Sequence, residues 1–186
     1  MNITIRPFVL ISSAFLAITT VYATDLTKAY EMPEANKIVE ADLIAKPTKF
    51  TMPKECKLNS FESIERGKYL FHNLNSRVAK EPTPKGLTKP KKGEVKLYGN
   101  CVACHNIEGA IGGGTVGPSL EAYSKNFIET KARDAQFVYQ KIADARVDNK
   151  DTSMTINLTT KMMNEQEICD LTAYILQPKT EKKSKK

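Results

Sequence analysis

The sequence predicts an all-α protein with long connecting loops. Apolar residues recur at helical spacing, and no segment shows the alternation of apolar and polar residues that is typical of a β-strand. Clusters of Pro, Gly and Lys separate the helical segments. The chain has 186 residues, of which 41% are hydrophobic and 26% are charged. That is enough for one domain with its own core and too little for several domains.

Residues 1–23 have the pattern of a secretory signal peptide. Arg6 gives a positive start, residues 8–17 are apolar, and Ala23 ends a stretch that a signal peptidase accepts. An uncleaved anchor is the alternative, but the apolar run is shorter than the ~20 residues that span a bilayer. We therefore expect a periplasmic protein, cleaved after Ala23, with no membrane span and with cysteines in an oxidising compartment.

An irregular N-terminal extension, residues 24–58, precedes the helical domain. Pro33, Pro47 and Pro53 interrupt any long helix, and only a short piece at residues 38–44 has amphipathic spacing. Because such a segment cannot form its own core, we expect it to wrap the domain or to lie against a partner.

The net charge of +7 comes largely from two basic segments. Residues 77–96 contain seven basic and two acidic residues, and the tail of residues 179–186 contains five Lys and one Glu. We interpret both as solvated segments, with the tail disordered. Export from the cytoplasm argues against nucleic acid as a partner.

The first of four predicted helices in the domain of residues 59–178 starts near Ser60. Asn59 and Glu62 are three residues apart, as in a capping box. Gly67 costs a helix ~1 kcal/mol relative to Ala, so its place on the apolar face indicates close approach by another helix. The other residues of that face are Ile64, Leu70, Phe71 and Leu74.

Residues 75–98 then predict an exposed loop without regular structure. A glycine-rich loop at residues 109–117 leads to a short helix at residues 120–127. The third helix begins at Asp134 and has one face made of Phe137, Val138, Ile142 and Ala145. The last helix has the clearest signals, namely Asn164 as N-cap, Glu167 three residues later and Pro178 as terminator.

Residues 101–105, Cys-Val-Ala-Cys-His, form the CxxCH pattern of covalent c-type haem attachment. Cys101 and Cys104 are spaced to form thioethers with the two vinyl groups of one haem, and His105 then offers its imidazole as the proximal iron ligand. A thioredoxin-like pair would need a βαβ context, and a zinc site would need a second pair of ligands. One motif predicts one covalently attached haem c.

The predicted sixth iron ligand is Met154. It is a lone large apolar residue in the polar loop of residues 147–161, between the third and last helices. A thioether raises the reduction potential and suits electron transfer. Met162 and His72 are the alternatives, whereas Met163 is explained as a hydrophobic staple next to the N-cap of the last helix.

Cys56 and Cys169 lie outside the haem motif. In an oxidising compartment they can form a disulfide that joins the extension to the last helix. The alternative is that Cys169 is a small buried hydrophobic residue and that Cys56 is free or paired elsewhere. Both remain open, because the sequence gives no distance between the two residues.

The order of these features resembles a class I cytochrome c and, within that class, the SoxX subunit of the SoxAX cytochrome of bacterial sulfur oxidation. The resemblance covers about residues 60–177. The segments that carry it are Gly99–His105, Gly114–Leu120, Ile142–Arg146, Asp151–Met154 and Asn164–Ile175. In two respects the chain departs from the family: Thr155 stands where Pro often follows the ligand methionine, and the loop of residues 75–98 is longer than a compact member needs.

The resemblance implies a fold of about four helices around one haem and further roles for single residues. The Pro118 carbonyl would accept a hydrogen bond from His105, and Gly67 and Tyr174 would meet where the first and last helices cross. The partners would be a SoxA-like cytochrome subunit, a SoxYZ-like carrier protein and a downstream soluble cytochrome c.

The chain shows no catalytic residues of its own. Catalysis is therefore expected only in a complex of the L-cysteine S-thiosulfotransferase type, in which this chain accepts electrons. The alternative is a free-standing periplasmic electron shuttle.

Overall fold

The computed structural model describes residues 45–178, and the three α-helices in this range lie where the sequence predicts helices. The α-helices in this range are α1 (Phe61–His72), α2 (Ala135–Ala143) and α3 (Glu165–Leu176). The shorter elements are a π-helical turn at Ser124–Ile128 and 3₁₀ turns at Cys101–Ala103 and Ala145–Val147. The predicted signal peptide, residues 24–44 of the extension and the basic tail lie outside the described residues.

The all-α prediction is confirmed. Residues 45–178 contain no β-strand, and their only bridge of β type joins Asn75 to Leu97. The predicted short helix at residues 120–127 is replaced by the π-helical turn at Ser124–Ile128, which lies slightly later in the chain.

The core is organised around the crossing of α1 and α3. A Cβ atom on Gly67 would lie 2.6 Å from the carbonyl carbon of Asp170 and 2.8 Å from the Cβ atom of Tyr174. The predicted close approach at Gly67 and its meeting with Tyr174 are therefore confirmed. Next to this contact, Arg66 donates two hydrogen bonds of 2.7 and 2.8 Å to the buried carboxylate of Asp170.

All three helices contribute fully buried side chains to one hydrophobic cluster. Its members include Leu70 and Phe71 from α1, Tyr139 and Ile142 from α2, and Ile168 and Leu171 from α3. Burying a side chain of this size contributes roughly 1.5–3 kcal/mol, so this cluster is the main source of stability for the helical domain.

The ends of α1 differ from the prediction. The N-cap residue is Ser60, whose hydroxyl donates to the Glu62 carboxylate (2.6 Å), so the predicted capping box of Asn59 and Glu62 is wrong. The chain leaves the helix at Asn73, whose side-chain amide donates to the Tyr69 carbonyl at 2.9 Å. Leu74 consequently lies beyond the helix and is 49% exposed instead of buried.

The predicted face of the third helix is also corrected in part. Val138 and Ile142 are buried as expected, but Ala145 lies beyond the end of α2, buried in the 3₁₀ turn that follows. Phe137 is only partly buried, and its ring lies under the guanidinium group of Arg133, which is 4.4 Å from the ring centre.

The loop of residues 75–98 is mostly irregular, as predicted, but it is attached to the domain. The Tyr98 amide donates to the Leu74 carbonyl (2.9 Å), and the side chains of Leu87 and Tyr98 are buried. Lys96 forms an ion pair of 2.9 Å with the buried carboxylate of Glu167 at the start of α3. Most residues of the loop are exposed, as predicted, and these contacts attach the loop to the domain.

The described part of the extension wraps the domain. Gln140 donates to the Thr48 carbonyl and accepts from the Phe50 amide, and Gln136 donates to the Phe50 carbonyl and accepts from the Met52 amide. These four hydrogen bonds, of 2.7–3.1 Å, let two side chains of α2 satisfy an extended backbone in the way that a neighbouring strand would.

Candidate haem-binding site

The CxxCH turn is fixed to the C-terminal end of α1. The Gly99 amide donates to the Leu70 carbonyl, and the Asn100 amide donates to the Asn73 carbonyl, both at 3.1 Å. Asn100 has the left-handed conformation (φ 45°), and this reverses the chain into the 3₁₀ turn that carries Cys101. The turn therefore projects from a rigid part of the core.

The two cysteines of this turn are unpaired and differ in environment. Cys104 is exposed, whereas Cys101 is partly buried against the hydrophobic cluster. Burial raises the pKa of the Cys101 thiol to about 12, so this sulfur is uncharged at neutral pH. A thioether is uncharged as well, and the apolar surroundings of Cys101 therefore suit covalent attachment.

The imidazole of His105 is held by the chain segment that follows the glycine-rich loop. Its Nδ1 atom lies 2.7 Å from the Pro118 carbonyl oxygen. Since a carbonyl can only accept, Nδ1 carries the proton, and the lone pair of Nε2 is left for a metal. A Cβ atom on Gly117 would lie 2.7 Å from Nδ1 and 2.8 Å from Nε2, so only glycine leaves room for the ring.

The glycine-rich loop is tied to the turn along its length. The amides of Gly114 and Gly117 donate to the carbonyls of Val102 and Cys104, each at 2.8 Å. A Cβ atom on Gly114 would lie 2.8 Å from the Cα atom of Cys104. The loop thus lies directly on the backbone of the CxxCH turn and fixes where Pro118 meets His105.

Met154 lies in a loop that is held at the end of α2; we call residues 148–161 the methionine loop. The Asn157 amide donates to the Ala143 carbonyl (3.1 Å), and its side-chain amide donates to the Ile142 carbonyl (2.7 Å). The side chain of Met154 is partly buried and packs against the same hydrophobic cluster as Cys101. Ligation of iron by Met154 stays a prediction.

The other candidates for the sixth ligand have contacts of their own. The Nε2 atom of His72 lies 2.9 Å from the Tyr174 hydroxyl at the crossing of α1 and α3. Met163 is buried, in agreement with a structural role. Met162 is partly buried and lines a cavity of about 330 Å³ together with Met163 and Leu158.

The residues that form this site lie within a match to a known protein family. The family model for cytochrome c matches residues 64–179, a range that contains the CxxCH turn, Pro118 and the methionine loop. The chain belongs to the cytochrome c family. The thioredoxin-like and zinc alternatives for the cysteine pair are therefore excluded. No curated protein matches the sequence of this cytochrome.

The residues present fit the covalently bound haem c that membership of the family implies. Two unpaired thiols stand at the required spacing, and the tautomer of His105 leaves a nitrogen lone pair for iron. The cytochrome is accordingly an electron-transfer haem protein. In its described part, residues 45–178, none of the helices combines the length and the hydrophobicity that crossing a bilayer requires.

A disulfide between Cys56 and Cys169 resolves the alternatives that the sequence leaves open. The Cα atoms of the two residues are 5.4 Å apart, although 113 positions separate them in the chain. The bridge joins the end of the extension to the middle of α3.

Sequence reasoning misses the most highly connected polar group beside the methionine loop. The carboxylate of Asp144 is fully buried and accepts hydrogen bonds from Arg146, Thr159 and the amide of Thr48. Burial by itself raises the pKa of Asp144, but these hydrogen bonds outweigh burial and lower the pKa to about 2. The only sequence signal is its place in the segment Ile142–Arg146, which carries the resemblance to SoxX.

Proposed function

We propose that this cytochrome is a periplasmic, single-haem protein and the electron-accepting subunit of a SoxAX-like complex. In such a complex thiosulfate is joined oxidatively to a cysteine of a SoxYZ-like carrier protein, and this subunit passes the electrons to a soluble cytochrome c. The free-standing electron shuttle is the alternative function.

One observation carries the proposal. The three segments that most specifically resemble SoxX, residues 142–146, 151–154 and 164–175, belong to one hydrogen-bonded region of the fold. Asn157, three residues after Met154, donates from its side-chain amide to the Ile142 carbonyl, and the Met163 amide donates to the Asn157 carbonyl (3.1 Å) just before α3. The resemblance is thus concentrated in the structure around the predicted ligand Met154, where a shared redox role would require it.

The cysteines support the role of an electron acceptor over that of the thiosulfate-binding subunit. Joining thiosulfate to a cysteine thiol forms a sulfur–sulfur bond and releases one proton and two electrons. This chain has four cysteines. Cys56 and Cys169 are in a disulfide, and Cys101 and Cys104 are the attachment pair, so no thiol remains for such chemistry. The reacting sulfur must come from the partner proteins.

The chain's own residues provide attachment and orientation for the electron carrier. When bound, the haem supplies a one-electron couple between ferric and ferrous iron. Pro118 and Gly117 fix the ring of His105, and the exposed Cys104 places one attachment point at the protein surface, where a redox partner can approach. Because the thiosulfate reaction releases two electrons, a single-haem subunit must pass them on in successive steps or share them with a second haem.

The test is native purification of the haem-loaded chain, followed by reduction assays. We expect it to copurify with a second haem protein, and we expect thiosulfate to reduce its haem only when that partner and the carrier protein are both present. Omission of the carrier protein is the control, since no cysteine is then available to take the thiosulfate. Sedimentation as a monomer from native extracts, or reduction of the isolated chain by thiosulfate, would support the shuttle instead.

A further inference from the structure

We propose that Asp144 is the positioning residue for the sixth iron ligand, because it fixes both ends of the methionine loop on which Met154 lies. The inference depends on ligation by Met154, which belongs to the proposed function, but it does not depend on the identity of any partner protein.

The two ends of the methionine loop meet at the C-terminal end of α2. At the first end, the amides of Asp148 and Asn149 donate to the Ala145 carbonyl at 3.2 and 3.1 Å. At the second end, the amides of Asn157 and Leu158 donate to the Ala143 carbonyl at 3.1 and 3.0 Å. Met154 lies between these two attachments, so their separation sets the range of positions open to its sulfur.

Asp144 lies between the two attachments and bonds to both sides. Its Oδ1 atom accepts from the amide (3.2 Å) and Nε (2.9 Å) of Arg146, in the turn that leads into the loop. Its Oδ2 atom accepts from Nη2 of Arg146 (2.8 Å) and from the hydroxyl of Thr159 (2.7 Å), at the loop's far end. Hydrogen bonds to an ionised acceptor are roughly twice as strong as neutral ones. One carboxylate therefore holds the entrance and the exit of the loop at a fixed distance.

The surroundings of Asp144 keep this link rigid. The carboxylate is fully buried, and the planar fork of Arg146 prevents its rotation. The extension covers it, since the Thr48 amide donates to Oδ2 (3.3 Å) and Gln140 donates to the carbonyls of both Thr48 and Asp144. Water therefore cannot easily replace the Thr159 hydroxyl.

By contrast, the tip of the loop has only local hydrogen bonds near Met154. The Met154 amide donates to the hydroxyl of Thr152 (3.1 Å), and the Thr152 amide donates to the Asn149 carbonyl (3.3 Å). Bonds of this kind shape the tip without fixing it to the domain. Apart from the packing of its side chain against the hydrophobic cluster, the position of Met154 is consequently set at the ends of the loop, where Asp144 acts.

The decisive variant is Thr159→Val in the full-length, haem-loaded protein. It keeps the shape of the side chain and removes only the hydrogen bond between the loop's exit and Asp144. We expect imidazole to displace the thioether from the ferric protein with an affinity about tenfold higher than in the wild type, equivalent to about 1.4 kcal/mol. We also expect a lower reduction potential and a weaker methionine-to-iron charge-transfer band, whereas Thr159→Ser should restore the wild-type values.

The matched control is Thr160→Val, one residue further along the same loop. Its hydroxyl bonds to the Ile156 carbonyl within the loop and not to Asp144. This variant should leave the imidazole affinity, the potential and the band unchanged. Equal imidazole affinities in Thr159→Val and Thr160→Val would overturn the proposal, and so would a loss of stability in Thr159→Val without any change at the iron.

Met154→Ala separates this inference from the assignment of the ligand. We expect it to abolish the charge-transfer band. If the band persists in Met154→Ala, Met154 is not the ligand, and the positioning role of Asp144 is overturned with that assignment. If the band is lost in Met154→Ala while Thr159→Val behaves as the wild type, the ligand is correct and only the role of Asp144 is wrong.

Discussion

The contact between α1 and α3 at Gly67 allows a quantitative prediction for Gly67→Ala. The added Cβ atom would lie 2.6 Å from the Asp170 carbonyl carbon and 2.8 Å from the Cβ atom of Tyr174, where carbon atoms normally approach to ~3.5–4.0 Å. Because these neighbours are backbone and the first side-chain atom, rotation of a side chain cannot relieve the overlap, and the helices must separate by about 1 Å.

The expected cost follows from two opposing contributions. Overpacking in a rigid core costs ~1–3 kcal/mol, and contact with backbone places this site near the upper value. Alanine gains ~1 kcal/mol over glycine inside a helix. We therefore expect Gly67→Ala to lower the free energy of unfolding by about 2 kcal/mol. The assay is urea unfolding of the haem-loaded protein followed by far-ultraviolet circular dichroism, with an unchanged dependence on urea concentration.

Residue 68 provides the matched control, since Lys68 is the exposed neighbour of Gly67 in the same helix. Comparison of Lys68→Gly with Lys68→Ala measures the same change from glycine to alanine without any packing. There the alanine protein should be the more stable by ~1 kcal/mol. If Gly67→Ala is as stable as the wild type or more stable, the close packing of the two helices is refuted.

Three further predictions concern the disulfide, the buried carboxylate of Asp144 and the close contact of Gly117 with the ring of His105. Cys56→Ala should lower the free energy of unfolding by about 2–5 kcal/mol in urea titrations, and equal stability of variant and wild type would contradict a bridge in the native protein. The pKa of Asp144 is lowered from 3.8 to about 2, so its stabilising effect is complete above pH 3.8 and is lost as the pH falls towards 2. Acid titrations of Asp144→Asn should lack that loss of stability, whereas Asp148→Asn, at a half-exposed surface pair, should retain it. Gly117→Ala should push the ring of His105 away from the Pro118 carbonyl and shift the reduction potential. An unchanged potential would refute the close contact between Gly117 and the ring.

The parts of the fold that local signals encode can be predicted from the sequence. The capping box of α3 is one example: Asn164 accepts from the Glu167 amide (2.9 Å), and the Glu167 carboxylate accepts from the Asn164 amide (3.1 Å). Both partners lie within one helical turn, so their separation in the sequence determines that they are close together in the structure. The same reasoning fails at Asn59, because serine is as common at the N-cap as asparagine and α1 begins after Ser60, one residue later.

Contacts between distant segments cannot be predicted in this way. Asp144 and Thr48 are separated by 96 positions, and nothing in either local sequence indicates the other. Gln136 and Gln140 look like ordinary polar residues of a helix, yet they replace a neighbouring strand for the extension. The partly buried Lys96 is similar, since a lysine in a basic loop is expected to be exposed unless its partner is known.

In the candidate site, too, the features set by local sequence can be predicted and those set by distant contacts cannot. The spacing of Cys101, Cys104 and His105 is imposed by the geometry of the haem edge, and so the attachment motif can be recognised without a structure. The predicted hydrogen bond from His105 to Pro118 is present, although only the resemblance to a known family indicated it. Met154 is harder to assign from the sequence. Whether a methionine in a polar loop can reach the iron depends on how the loop is attached to the domain, and those attachments are contacts between distant segments of the chain.

The disulfide encloses the CxxCH motif and therefore dictates an order of events during biogenesis. The cysteines follow one another in the sequence as Cys56, Cys101, Cys104 and Cys169, and joining each to its successor would consume the two sulfurs that form the thioethers. Native oxidation must therefore leave both middle cysteines reduced and pair the first cysteine with the last. Cys101 and Cys104 therefore have to stay reduced until the haem is attached, whereas Cys56 and Cys169 have to be oxidised to form the bridge.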